Sequence, residues 1–290
     1  MLNKLRYLAV SMRPRHWPKH AVLFAPLVFA RDLFNPPLVA RALLAFAIFC
    51  LVSGSVYLIN DLADVESDRR HPIKRNRPLA AGKLGPGFAA AAAVILLLSA
   101  VVLSAPLGRG FLGTVLGYFL LFLAYSFYLK HVILVDVLVI AAGYFIRVVA
   151  GALAIAVEIS GWLVSSMIFL ALFLALCKRR SELNYPEAVN HRRILQEYSV
   201  PLLDQLISVA TASTLISYTL YTVSPETLEK FHTPYLVLTV PFVVYGIFRY
   251  LYLVHQQGHG ESPTEVFLTD RPLLADVGLW VLTVVAILFL

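Results

Sequence analysis

This chain has little charge, almost no cysteine and no short repeating unit, and each shortage excludes a class of protein. Only 14% of its 290 residues are Asp, Glu, Lys or Arg, against 59% hydrophobic, and the mean hydropathy is +0.77. No ordinary soluble domain of this length carries that balance, so the chain reads as a polytopic membrane protein. The two cysteines, Cys50 and Cys177, each lie in an apolar run and read as small buried hydrophobes. A pair so placed supplies no disulfide framework, and without a CxxC motif the usual redox and metal signatures are absent too. His255 and His259 lack zinc-ligand spacing. No fixed-period repeat stands out. The opening MLNKLRYLAVSMRPRHWPKH lacks an uninterrupted apolar core followed by a small-residue cleavage site, so no removable signal peptide is expected. Residues 1–16 are expected instead to form an interfacial helix, with Leu2, Leu5, Leu8, Val10 and Met12 facing lipid.

What the chain has in abundance is apolar runs long enough to cross roughly 30 Å of hydrocarbon. They fall near 18–34, 38–60, 87–107, 111–129, 132–156, 161–177, 202–223, 234–254 and 273–290. Nine spans put alternate loops on opposite faces. Nineteen of the twenty-four Lys and Arg residues then collect on one face, while four (Arg31, Arg41, Arg109 and Lys230) fall on the other and Arg147 lies inside a span. The positive-inside rule makes the richer face, and the N-terminus, cytoplasmic. The net charge of +7 is therefore a topological signal, with some attraction to anionic lipid, and not a sign of nucleic-acid binding.

The densest charge stands at Asn60 to Gly82, NDLADVESDRRHPIKRNRPLAAG, immediately after the second run. Asn60, Asp61, Asp64 and Asp68 recur at helical spacing, so a continuous α-helix carries them on one face. Asp61 and Asp68 lie roughly 10 Å apart along such an axis, a separation that suits two oxygen-ligated cations sharing a diphosphate, and Mg2+ is the natural ion. Arg69, Arg70, Lys74, Arg75 and Arg77 follow, cations able to neutralise phosphate oxygens. Spacing alone is served equally well by a solvated helix end followed by a topological basic run.

Further features share the cytoplasmic face. Arg13, Arg15, His16, Trp17 and Lys19 form a basic and aromatic approach to the first run, where interface anchoring is the first expectation. Tyr125, Tyr128, Lys130 and His131 close the fourth run, and Asp136 opens the fifth. Lys178, Arg179 and Arg180 follow the sixth, with Glu182 four residues after Lys178 and three after Arg179; a solvated loop is expected there. Arg147 lies eleven residues beyond Asp136, about 20° around a helix, so the two are expected to point into one interior groove as a buried pair.

NDxxDxxxD followed by a basic loop with Arg77-Pro78 and Gly82, at the cytoplasmic end of the second of nine spans, resembles the UbiA-type intramembrane prenyltransferase superfamily. That resemblance implies an all-α bundle, a single domain over 1–290, with a central cavity facing the cytoplasm and a lateral opening to lipid. It also implies magnesium-held diphosphate and a place in the bacterial plasma membrane. The usual second aspartate-rich motif is replaced here by Lys178-Arg179-Arg180-Ser181-Glu182. RPRHWPK, SGSVYLIND, HPIKRNRPLAAG, YSFYLKH, FIRVVAGALA, CKRRSEL and GESPTEVFLTDR together are similar to the decaprenyl-phosphate phosphoribosyltransferase branch, across nearly the whole chain. The branch implies transfer of phosphoribose from phosphoribosyl diphosphate (PRPP) to a polyprenyl phosphate, a step toward cell-wall arabinan. On that reading Asp61, Asp64 and Asp68 hold Mg2+, and Asn60 binds metal water or substrate. Lys19, Lys74, Arg77, Lys130, Lys178 and Arg179 share the remaining phosphates, and Tyr125, Asp136, Arg147 and Glu182 complete the substrate-binding set. A prenyltransferase acting on an aromatic acceptor and a lipid or solute transporter stay open as alternatives, as does a homo-oligomer.

Overall fold

The computed structural model describes residues 2–184, 193–257 and 263–289, and every regular element among them is helical. In chain order they are α1 (Leu2–Ser11), a 3-10 segment (Pro14–Phe24), α2 (Ala25–Phe29), α3 (Pro36–Ala63), α4 (Val65–Arg70), α5 (Pro86–Leu103), α6 (Arg109–Phe127) and α7 (Val135–Ile155). There follow α8 (Gly161–Glu182), α9 (Val200–Val223), α10 (Pro225–Phe231), α11 (Val240–Gln256), α12 (Pro263–Thr269) and α13 (Arg271–Phe289). Proline opens α3, α5, α9 and α10, where its missing N–H is no loss and its fixed φ suits the first turn. Ser199 and Ser224 cap α9 and α10 by accepting from Leu202 N and Thr227 N, each at 3.3 Å.

Eight helices among the described residues are long and apolar enough to cross a membrane: α3, α5, α6, α7, α8, α9, α11 with the turn before it, and α13. The first expected span differs in kind. Residues 14–29 form the 3-10 segment and then the five-residue α2, and Arg31, at φ 62°, follows in the left-handed region. In a 3-10 helix residues three apart eclipse one another. His20 and Leu23 are buried at that interval, and Pro26, Leu27 and Phe29 are buried in the α-helical turn that follows. A scan for α-periodicity sees such a pattern as an interrupted span.

The described contacts group into two compact units, one of residues 1–130 with 146–157, the other of 131–145 with 158–290; α7 contributes its first half to the second unit and its last half to the first. The first unit is built on α3, whose Ala45, Ile48, Phe49 and Val52 pack with Leu23, Phe111, Val115, Tyr118, Ala150 and Ala154. Small residues let these helices approach closely. At Gly151 a Cβ would lie 2.3 Å from the Leu23 carbonyl oxygen, so only glycine fits between α7 and the 3-10 segment. Of the residues expected to face lipid from the N-terminal helix, Leu5 and Val10 are exposed, whereas Leu8 packs beside Leu58 and Leu84, and Met12 lies against Gly54. In the second unit α8, α9 and α11 bury Phe173, Cys177, Leu203, Ile207, Tyr250 and Leu253. Arg249 binds Asp270 through two nitrogens, at 3.1 and 2.8 Å. Both cysteines are buried free thiols.

Candidate active site

The acidic stripe is not carried on one uninterrupted helix. α3 ends at Ala63, and Asp64, at φ −95° and ψ 5°, is the joint from which α4 begins. Helical hydrogen bonding nearly continues through it, Asp64 N to Asn60 O at 2.9 Å and Asp68 N to Asp64 O at 2.8 Å. The four polar residues therefore stay on one side while the backbone bends. Arg77 Nη1 donates to Asp61 Oδ1 at 3.1 Å and to Asp68 Oδ2 at 2.6 Å. The sum of those lengths is the most that can separate the two oxygens, little more than half of the roughly 10 Å rise of a straight stripe.

Each aspartate is met by a cation from another part of the first unit. Asp61, 3% exposed, accepts from Arg13 as well as Arg77. Asp64 accepts from Lys130 at 3.0 and 3.2 Å and from Asn60 at 3.1 Å. Arg13 reaches inward from a left-handed backbone at φ 55°, with its guanidinium 4.5 Å from the centre of the Tyr57 ring. The Tyr57 hydroxyl accepts from Lys19, and His16, one 3-10 turn earlier, packs against the same ring at 6.1 Å. Tyr57 lies four residues before Asp61, on its helix face. Lys74 is exposed, its N–H donating to His71 Nδ1 at 3.3 Å, and Tyr125 is half-buried against Phe122.

Arg147 is 2% exposed. Its Nε donates to His20 Nδ1 at 2.9 Å and its Nη2 to the Tyr118 hydroxyl at 2.8 Å.

In the second unit, Asp136 is wholly buried and accepts from Arg179 Nε at 2.6 Å and from the Tyr198 hydroxyl at 2.7 Å. Arg179 also binds Glu182 at 2.7 Å, and Lys178 Nζ lies 3.9 Å from the same carboxylate. This stretch is the last turn of α8 and not a solvated loop: Arg179 is 1% exposed, and its pairing with Glu182 three residues on closes the helix over the buried charge. Burial, and then the Asp136 carboxylate, push the Tyr198 phenol above its ordinary pKa, which keeps it a donor. Arg13, Tyr57 and Tyr198 are absent from the expected site set. His259, Gly260, Glu261 and Ser262 lie outside the described residues, as does Arg192.

The donor set at the bend is all oxygen, the chemistry that suits Mg2+. A guanidinium already bridges Asp61 and Asp68, so the site attracts a cation where the carboxylates converge. Among the described residues no three His, Cys, Asp or Glu side chains form a ready ligand cluster, since the arginines and Lys130 stand between them. The oxygen donors of Asp61, Asp64 and Asp68 are of the kind that would hold a divalent ion.

A bundle of membrane-length apolar helices with an aspartate-rich helix joint is the build of an intramembrane transferase, and the chain belongs to the UbiA prenyltransferase family, whose profile matches residues 21–269. The structure of a UbiA homolog from Archaeoglobus fulgidus bound to GPP and Mg2+ has the same fold, with a TM-score of 0.75 and 18% identity over 98% of this chain and 100% of that one. Within the family the chain is similar to decaprenyl-phosphate phosphoribosyltransferase of Corynebacterium glutamicum, 34% identical over 97% of this chain and 86% of that protein. The enzyme of the same name from Mycolicibacterium smegmatis is 32% identical over 99% and 94%.

Proposed function

We propose that this chain transfers phosphoribose from PRPP to a polyprenyl phosphate of the decaprenyl type, releasing pyrophosphate. The observation that carries the reading is the interleaving at one bend of Asp61, Asp64 and Asp68 with Arg13, Arg77 and Lys130. PRPP needs a metal-held diphosphate and also cations for a separate 5-phosphate; a prenyl diphosphate needs only the first. The likeness to phosphoribosyltransferases along nearly the full chain supports the same substrate pair.

Asp61, Asp64 and Asp68, with Asn60, would hold Mg2+, which when bound supplies charge neutralisation for the departing diphosphate. Arg13, Arg77 and Lys130 release their carboxylates and turn to phosphate oxygens, while Lys19 is oriented by Tyr57. The bond from C1 to the diphosphate breaks, and a bond from C1 to an acceptor phosphate oxygen forms with inversion. The acceptor is already an anion, so no general base is required; the side chains position the reactants and stabilise charge. Lys74 and Lys178 remain candidates for the 5-phosphate. Arg179 and Arg147, engaged as they are, act as positioning residues. With α7 common to both units, we treat 1–290 as one working domain, its site on the cytoplasmic face of the bacterial plasma membrane and its N-terminus inside.

The test is purified protein with PRPP, Mg2+ and polyprenyl phosphate, followed for pyrophosphate and a ribosylated lipid. PRPP with Mg2+ should also raise the unfolding temperature with ligand concentration, as a native-state ligand must, and geranyl diphosphate should do so much less. Consumption of geranyl diphosphate with an aromatic acceptor, and no effect of PRPP, would replace this reading with the ordinary prenyltransferase.

A further inference from the structure

Between α9 and α11, wholly within the second unit, runs a groove of about 580 Å3. Its wall has two chemistries. At the end where α9 begins and α11 finishes stand Asp204, His255 and Gln256; along the rest lie apolar side chains that include Ile207, Ala212 and Leu215. Asp204 and Leu215 are eleven residues apart on one helix, about 16 Å of rise. That is close to the depth of one leaflet of a roughly 30 Å hydrocarbon layer.

The polar end is charged in a specific pattern. Arg180 Nε and His255 Nε2 both approach the same oxygen, Asp204 Oδ1, at 3.0 and 3.3 Å. His255 Nδ1 lies 3.0 Å from the Leu251 carbonyl. Each ring nitrogen of this imidazole therefore faces an oxygen acceptor. Asp204 is 40% exposed at its side chain, and its other oxygen takes no hydrogen bond among the described residues. Deeper in the groove, seven residues on, Thr211 has an enclosed hydroxyl with no partner among the described residues.

We propose that this groove holds one membrane phospholipid with a primary-amine headgroup, phosphatidylethanolamine. Its ammonium donates to Asp204 Oδ2, its phosphodiester lies beside Arg180 and His255, a glycerol ester carbonyl accepts from Thr211, and one chain fills the furrow toward Leu215. A polyprenyl phosphate offers neither a donor for the carboxylate nor an ester for Thr211, so this groove is distinct in its chemistry from a site for that acceptor. The inference does not depend on which group the protein transfers.

The experiment uses the full chain in lipid nanodiscs or detergent with phosphatidylethanolamine, phosphatidylcholine, phosphatidylglycerol or polyprenyl phosphate, read by native mass spectrometry and thermal unfolding. Phosphatidylethanolamine should be retained preferentially and should raise the unfolding temperature. Phosphatidylcholine, whose ammonium has no N–H, should bind more weakly. Asp204→Asn should reduce the preference for phosphatidylethanolamine over phosphatidylglycerol about tenfold, the loss of a charge-assisted hydrogen bond. Leu215→Trp should lower retention of every phospholipid. Equal retention of all the phospholipids by the unsubstituted protein would mean ordinary annular lipid and overturn the proposal, as would displacement of phosphatidylethanolamine by polyprenyl phosphate. The comparison of headgroups on the unsubstituted protein decides the matter even where a variant fails to fold.

Discussion

Replacing Arg179 by alanine removes the cation from a carboxylate that water does not reach. Asp136 is wholly buried, and Arg179 Nε donates to it at 2.6 Å. Charge centres about 4 Å apart attract by about 4 kcal/mol at an effective dielectric constant of 20. The cost of desolvating both groups offsets most of this, so the intact pair contributes little net stability, whereas removing one partner costs about 3–5 kcal/mol. A double-mutant cycle separates these statements. Arg179→Ala and Asp136→Ala should each destabilise by about 3 kcal/mol or more, and the double variant by less than either alone, a coupling of at least about 3 kcal/mol. Unfolding in detergent, followed by loss of helical circular dichroism, measures all four proteins. Additive losses, or single variants within about 0.5 kcal/mol of the unsubstituted protein, would refute the claim that this pair carries its charge in isolation from solvent.

Asp64→Asn and Asp68→Asn should nearly abolish turnover; full activity of either, or full activity in excess chelator, would remove the magnesium assignment. Lys178→Ala should raise the donor KM about tenfold with kcat little changed, as expected for the loss of one contact to phosphate; a weaker lipid phosphate instead would assign the lysine to the acceptor. Arg249 holds the Asp270 carboxyl below its ordinary value of 3.8. The stability this gives is complete above that value and is lost as pH falls through the lower folded value. Arg249→Gln should therefore flatten the acid limb of a stability curve while leaving the rest of its shape unchanged. Terminal reporters should place the N-terminus inside, and a C-terminus outside would show that residues 14–29 cross the membrane with the eight long helices.

The long spans were legible because hydropathy over some twenty residues is a strong signal: the runs expected near 38–60 and 87–107 differ only by a few residues from α3 and the helical stretch 86–107. The run expected at 18–34 was the weakest, because Pro26 and Arg31 interrupt it, and the structure winds residues 14–24 as a 3-10 helix before the short α2. The aspartates announced themselves by spacing, and Tyr57 carried the same signal, four residues ahead of Asp61. Arg13 and Tyr198 carried none of that kind. They reach Asp61 and Asp136 across 48 and 62 residues, and no local periodicity encodes such pairings. The extension of α8 through Arg179 was hidden for a related reason: a basic run reads as solvated until its buried counter-ion is seen.

A 3-10 helix rises about 2.0 Å per residue and an α-helix about 1.5 Å. The eleven residues of Pro14–Phe24 therefore reach about 22 Å, and with α2 the stretch attains nearly the thickness of a bilayer core on sixteen residues. Its length is set by winding and not by residue count. Rewound as an α-helix, the same segment would shorten by about 5 Å and advance by about 20° less at each residue, out of register. Lys19 would leave Tyr57, and His20 would leave Arg147. This stretch works as a gauge block: it fixes the height at which Lys19 meets Tyr57, and a sequence that favoured the ordinary helix would set that height wrong without altering a single contact residue.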